Sequence, residues 1–220
     1  MAESCLLYYI TDRTQFAGDE LSRRRHLLDK INEAARAGVD FIQLREKDLS
    51  SRALEELARE ALARIRQSSL ATRLLINSRS DIALAVEADG VHLRSEDVSV
   101  SDARRVAEEV LSRNSQPTTR NWTIALSCHT EEDVRRAAAE HADFAAFAPV
   151  FEKRDTPDAK ATGLAELERA CRHNVRVLAL GGVTIENAAS CLHAVAAGIA
   201  GIRLFQEHDI AEVVRRIRGQ

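Results

Sequence analysis

FIQLREKDLSSRALEELAREALARIRQSSLATRLLI, residues 41–76, contains the repeating unit of this chain. Residues 41–44 are a short apolar run without alternation, which is how a strand covered on both faces reads. Residues 51–68 then carry Leu54, Leu57, Ala58, Ala61 and Leu62 at helical spacing, a single apolar stripe on a charged segment. A second short apolar run follows at 74–76. Strand, amphipathic helix, strand in this order predicts two parallel strands joined by a crossover helix.

The same alternation occurs eight times. Short apolar runs lie at 6–10, 41–44, 74–76, 90–93, 123–127, 144–150, 177–180 and 201–205. Helical patterns lie between and after them at 18–37, 51–68, 80–88, 101–113, 131–140, 163–172, 185–197 and 210–218. Thr130 before Asp133 and Thr184 before Asn187 have the look of helix N-caps. Eight units in 220 residues predict an α/β fold closed as a (β/α)8 TIM barrel, a single domain over residues 1–220. The structural competitor is an open doubly wound sheet, but no Gly-x-Gly-x-x-Gly follows the first strand. The polar stretch 114–121 reads as a loop before strand five.

The charge balance, 31 Lys and Arg against 34 Asp and Glu, gives a net charge of −3 and argues against nucleic acid as a partner. Apolar stretches such as 142–150 contain Asp143 and are too short for a bilayer, so no membrane span is expected. The N-terminus lacks the basic flank of a signal peptide, and the expected location is cytoplasmic. Cys5, Cys128, Cys171 and Cys191 are scattered singly, the pattern of reduced thiols and not of structural zinc or a disulfide framework.

In such a barrel the chemistry gathers where strands run into helices. Gln43, Arg45 and Lys47 continue strand two on alternate positions and can face one way, an Arg fork beside a Lys point charge that suits a diphosphate; a solvated basic strand end is the plainer alternative. Gly181 and Gly182 follow strand seven, where bare amides and a helix N-terminus bind anions, although a Gly-Gly pair also simply makes turns. Asp97 in the loop after strand four could serve Mg2+ or be an ordinary exposed carboxylate. His129, beside Ser127 and Cys128, could move protons or merely cap and position. Cys128 is a nucleophile candidate by adjacency alone, and no Gly-x-Ser-x-Gly elbow is present.

Read in order, Tyr9-Ile-Thr-Asp12, Phe41-Ile-Gln-Leu-Arg-Glu-Lys47, Ile76-Asn-Ser-Arg-Ser-Asp-Ile-Ala83, Ala88-Asp-Gly-Val-His-Leu93, Ser127-Cys-His-Thr130, Pro149-Val-Phe151 and Ala179-Leu-Gly-Gly-Val-Thr-Ile-Glu-Asn187 resemble the thiamine phosphate synthase and thiazole tautomerase family over nearly the whole chain. The resemblance implies joining of hydroxymethylpyrimidine diphosphate to thiazole phosphate with Mg2+, releasing pyrophosphate. It implies that Gln43, Arg45 and Lys47 hold the diphosphate, Asn77 the pyrimidine, Asp97 and the position of Ser78 the metal, and Ser127 the departing pyrophosphate. Gly181 and Gly182, with the backbone at Phe205 and Gln206, would hold the thiazole phosphate. The implied catalytic set is Arg45, Lys47, Ser127 and His129.

The chain departs from the synthase pattern in four places. Ser78 stands where the family has a second metal-binding Asp, and Arg94 adds a cation three residues before Asp97. The family's Thr- and Lys-bearing loop becomes 151–160, with Lys153, Arg154 and Lys160 as unaligned substitutes, and Gln206-Glu207-His208 replaces Ser-Ala-Ile. The tautomerase, which uses a histidine at the position of His129, is therefore the alternative. A non-catalytic phosphate-ligand sensor and a generic barrel isomerase stay open on the same fold. The outer helices could pair into a homo-oligomer.

Overall fold

The computed structural model describes residues 5–68, 71–113, 122–152 and 160–219. Eight parallel strands, β1 (Leu6–Ile10), β2 (Phe41–Leu44), β3 (Arg73–Asn77), β4 (Gly90–Leu93), β5 (Thr123–Cys128), β6 (Phe144–Phe147), β7 (Arg176–Ala179) and β8 (Gly198–Gly201), pair in chain order and close on β1. The helices are α1 (Glu20–Ala37), α2 (Ser51–Arg66), α3 (Ser80–Ala85), α4 (Val100–Arg113), α5 (Glu131–Ala139), α6 (Leu164–Ala170), α7 (Ala188–His193), α8 (Arg203–Gln206) and α9 (Ile210–Arg218). The (β/α)8 barrel expected from the periodicity is the fold.

Strand alternation sorts the core into two layers. Tyr8, Ile10, Phe41, Leu75, Ala125, Phe144, Leu178 and Ala200 fill the barrel interior. The intervening residues, such as Leu7, Tyr9, Ile42, Leu74, Ile76 and Val91, pack outward against the helices. The stripe read on residues 51–68 does this work on α2: Leu54, Leu57, Ala58, Ala61 and Leu62 are all buried, and each leucine contributes about 2 kcal/mol. The ends are fixed locally. Asp19 caps α1, Ser50 caps α2, and Thr130 and Asp133 form a reciprocal capping box on α5, as the sequence foretold for Thr130.

Several boundaries differ from expectation, and three of them have a clear physical cause. The eighth strand is Gly198–Gly201, and most of the run 201–205 forms α8 instead, because the ladder partners of Leu6 to Tyr9 are 198–201. Strand six stops at Phe147, since Pro149 has no N–H to donate to a ladder. Helix α7 starts at Ala188 and not at 185; residues 184–187 form a turn in which the Thr184 amide donates to Asn187 Oδ1 at 2.8 Å. The loop 114–121 lies outside the described residues. Among the described residues no helix is long and apolar enough to cross a membrane.

Candidate active site

The alternation of β2 persists beyond its last residue and divides two kinds of chemistry. Glu46 turns outward and is buried: it accepts from Thr11 Oγ1 at 2.5 Å, from the Arg13 amide at 3.0 Å and from Arg13 Nη1 at 3.2 Å. Thr11 Oγ1 in turn accepts from the Arg45 amide at 3.0 Å, so this buried cluster fixes the backbone of the loop. Arg45 and Lys47 are left at the mouth, and neither side chain has a hydrogen bond or ion pair with a described residue. Their proximity is visible in Lys47, whose ammonium is pushed below the usual lysine range by Arg45 first, then by partial burial and by Arg94. Cations gathered this closely, offset only in part by Asp12, suit a polyanion.

Gln43 faces the barrel interior, 1% exposed, and its Nε2 donates to Tyr8 Oη at 2.9 Å. Asn77 ends β3 in register with His92, its Nδ2 donating to Ser78 Oγ at 3.1 Å. Ser127 lies on β5 with its Oγ 2.8 Å from His92 Nε2. Gln43, Asn77 and Ser127 therefore share the inner face and upper end of the barrel with the cations above them.

The expected metal pair, Asp97 and Ser78, does come together, but Asp97 is already engaged. Arg94 donates from its amide to Asp97 Oδ2 at 2.8 Å and from Nη2 to Oδ1 at 3.0 Å. Burial pushes the Asp97 carboxyl up, and the bonds from Arg94 and Ser78 more than offset this, leaving it below the usual range. Mg2+ is held by hard oxygens, with carboxylates supplying the charge. One ion-paired carboxylate and a neutral hydroxyl do not fit it. Among the described residues no group of three or more His, Cys, Asp or Glu converges as a metal site.

His129 follows β5, with Nδ1 2.8 Å from the Ala148 carbonyl oxygen. A carbonyl only accepts, so Nδ1 bears the proton and Nε2 is the basic nitrogen. Cys128 points into the outer layer, and burial pushes its thiol up to about 12, which removes it as a nucleophile.

Across the mouth, Gly181 and Gly182 have φ of 89° and 67°, the left-handed region. A Cβ on Gly182 would fall 2.5 Å from the Glu152 carbonyl oxygen, so only glycine lets this turn pack on the segment that follows β6. The amides of Gly181, Gly182 and Val183 donate to no described residue, Gly182 being half-buried and its two neighbours buried. The helix N-terminus expected directly behind them is displaced, because α7 begins at Ala188. The backbone grip expected at Phe205 and Gln206 is not formed by their amides, which donate to the Ile202 carbonyl at 3.1 and 3.0 Å inside α8. The Phe205 ring packs on Tyr9, and the Gln206 side chain ties α8 to β1, accepting from the Asp12 amide at 2.9 Å and donating to the Asp12 carbonyl at 3.0 Å. Lys153 and Arg154 lie outside the described residues, and Lys160 is exposed.

Sequence reading assigned no role to Tyr8, His92 or Arg13. Tyr8 sits inside an apolar run, His92 lies at the mouth end of the fourth run without a partner that the sequence could name, and Arg13 lies in a 3-10 turn that has no periodic signature.

A parallel barrel that gathers cations and glycine amides at the exit of its strands has the architecture on which enzymes commonly bind phosphate groups. Residues 7–205 match the thiamine monophosphate synthase family, and the chain belongs to it. It is 35% identical over 216 residues to a thiamine-phosphate synthase of Syntrophomonas wolfei, covering 96% of this chain and 94% of that one. A second relative, a thiamine-phosphate synthase of Roseiflexus castenholzii, is 34% identical over 201 residues, 90% of this chain and 79% of the other. Among solved structures, thiamine phosphate pyrophosphorylase from Pyrococcus furiosus superposes with a TM-score of 0.76 at 27% identity, covering 99% of this chain and 95% of that one. The chain is thus a thiamine-phosphate synthase-like transferase.

Proposed function

We propose that the protein joins hydroxymethylpyrimidine diphosphate to thiazole phosphate, giving thiamine phosphate and pyrophosphate. The observation that carries this reading is the pair Arg45 and Lys47, unpartnered among the described residues and close enough to depress the lysine, next to Asn77 and Ser127. In the reaction the bond between the pyrimidine methylene carbon and the diphosphate oxygen breaks, its electron pair leaving with pyrophosphate. The aminopyrimidine stabilises the resulting cation, and the thiazole nitrogen lone pair forms the new C–N bond. No proton has to move in these steps. The protein's part is to gather negative charge and align the reactants: Arg45 and Lys47, with Gln43 beneath them, take the diphosphate, and Asn77 takes the pyrimidine. Ser127 donates to the leaving group, and the amides of Gly181 and Gly182 receive the thiazole phosphate.

Mg2+ dependence is general in this family, yet the chain's own donor set does not fit the ion. Fixed cations carry the charge instead, so stripping divalent ions with EDTA is expected to slow condensation by less than about tenfold, the loss of one weak contact. Thiamine phosphate formation from both precursors in EDTA and in Mg2+ tests this. Abolition by EDTA would return the charge-neutralising role to a metal carried in with the diphosphate, and absence of product in both would overturn the synthase reading.

The fixed tautomer of His129 favours a second reading, thiazole tautomerisation with Nε2 as proton carrier. Under the synthase reading His129→Asn leaves condensation within about threefold of the parent, because no general base acts. A loss of two orders of magnitude or more in a tautomerisation assay with condensation absent in the parent would favour the tautomerase.

A further inference from the structure

Four polar side chains cross the otherwise apolar barrel interior as one connected line. Gln43 Nε2 lies 2.9 Å from Tyr8 Oη, Tyr8 Oη lies 2.9 Å from His92 Nδ1, and His92 Nε2 lies 2.8 Å from Ser127 Oγ. They come from β2, β1, β4 and β5, and Tyr8, Gln43 and His92 are each at most 3% exposed. Around them the interior is filled by Phe41, Leu75, Ala125, Phe144 and Leu178. Polar groups buried in such surroundings are costly unless bonded, and an apolar layer would satisfy packing equally well.

The line has a direction. An amide nitrogen only donates, so Tyr8 Oη accepts from Gln43 and must send its own proton onward. The acceptor in reach is His92 Nδ1, which leaves the ring proton on Nε2, aimed at Ser127 Oγ. Ser127 Oγ then accepts from within, and its own proton is turned away from the barrel toward the mouth. We propose that Tyr8 and His92 form a directional hydrogen-bond relay that fixes Ser127 as a donor to an ionised phosphate oxygen, with His92 as a positioning residue. Burial, and then Arg45, hold the His92 imidazole down at about 3, so it stays neutral and keeps one polarity at any working pH. This inference rests on the proposed role of Ser127 toward the leaving group. An ionised diphosphate only accepts hydrogen bonds, so a hydroxyl whose proton is turned outward is matched to it.

The test uses inorganic pyrophosphate as probe, with 15N NMR of the histidine rings, Tyr8→Phe, Ser127→Ala and the double variant. These substitutions keep the shape of the barrel, and a thermal melt checks each fold. The parent is expected to show His92 as the Nε2–H tautomer, and Tyr8→Phe to shift it. Each single variant should weaken pyrophosphate binding about tenfold, and the double variant no more than Ser127→Ala alone. A merely structural Tyr8 would move neither the tautomer nor the coupling. The Nδ1–H tautomer in the parent, additive losses, or no pyrophosphate binding would each overturn the relay. Tautomer and binding are read without turnover, so a protein that shows the relay yet makes no thiamine phosphate separates failure of the synthase reading from failure of this inference.

Discussion

Replacing Arg45 with alanine lowers kcat/KM for the pyrimidine diphosphate by about a hundredfold, which is about 2–3 kcal/mol of lost charge-assisted bonding in the transition state. The expectation follows from how the residue is held. Its amide is bonded to Thr11 Oγ1 at 3.0 Å, so the backbone stays in place, while the side chain has no described partner to stabilise the free protein. Substrate contact is therefore what the substitution removes. Arg45→Lys should recover only part of the loss, because an ammonium cannot offer a two-pronged contact to phosphate oxygens. Steady-state kinetics with the pyrimidine varied at saturating thiazole phosphate reads the effect. A change below threefold, or a loss confined to the thiazole phosphate KM, would remove Arg45 from the diphosphate site.

Arg13→Ala is expected to destabilise the fold by about 3–5 kcal/mol, the usual result of stranding one half of a buried ion pair. Arg13 reaches three carboxylates, Glu46 at 3.2 Å, Glu20 at 2.7 Å and Asp48 at 2.6 Å. Glu20 and Asp48 are more than half exposed and can turn to water, whereas the Glu46 side chain is 1% exposed and cannot. For a chain of this size the unfolding midpoint should fall by about 10 °C. The sign of the pH dependence follows from Glu46. Burial already pushes its carboxyl up, against the downward pull of Thr11 and Arg13, and without Arg13 it rises further. A carboxyl raised in the folded state binds its proton more tightly there than in the unfolded chain, so folding is favoured as pH falls. The gap between parent and variant should narrow from pH 7 to pH 5 in thermal melts. An equal deficit at both pH values would mean that the lost energy is packing and not a stranded charge.

How much of this was legible in the sequence depended on whether the determining contacts were local. The barrel was, because strand and helix periods recur within each unit, and α9 was read at 210–218, where it lies. The eighth strand was misplaced because Gly198-Ile-Ala-Gly201 is built of small residues, while 202–205 is more apolar and looked more like core. Only the ladder to Leu6–Tyr9, nearly two hundred residues away, decides between them.

The site divides along the same line. Gln43, Arg45 and Lys47 could be grouped from alternation alone, and the structure leaves both cations at one mouth. Tyr8 and His92 could not be found this way, since their bond joins residues 84 apart and exists only once β1 and β4 face each other across the closed barrel. Arg94 and Asp97 were visible as neighbours, but whether the guanidinium sits on the carboxylate or beside it is a matter of loop geometry, and here it sits on the carboxylate.

The most direct measurement mixes purified protein with hydroxymethylpyrimidine diphosphate and thiazole phosphate and counts both products, thiamine phosphate by mass spectrometry and pyrophosphate by enzymatic assay. One pyrophosphate per thiamine phosphate, with neither formed when either precursor is omitted, is the predicted result. Pyrophosphate released from the pyrimidine alone, or no product from folded protein that still binds thiazole phosphate, would contradict it.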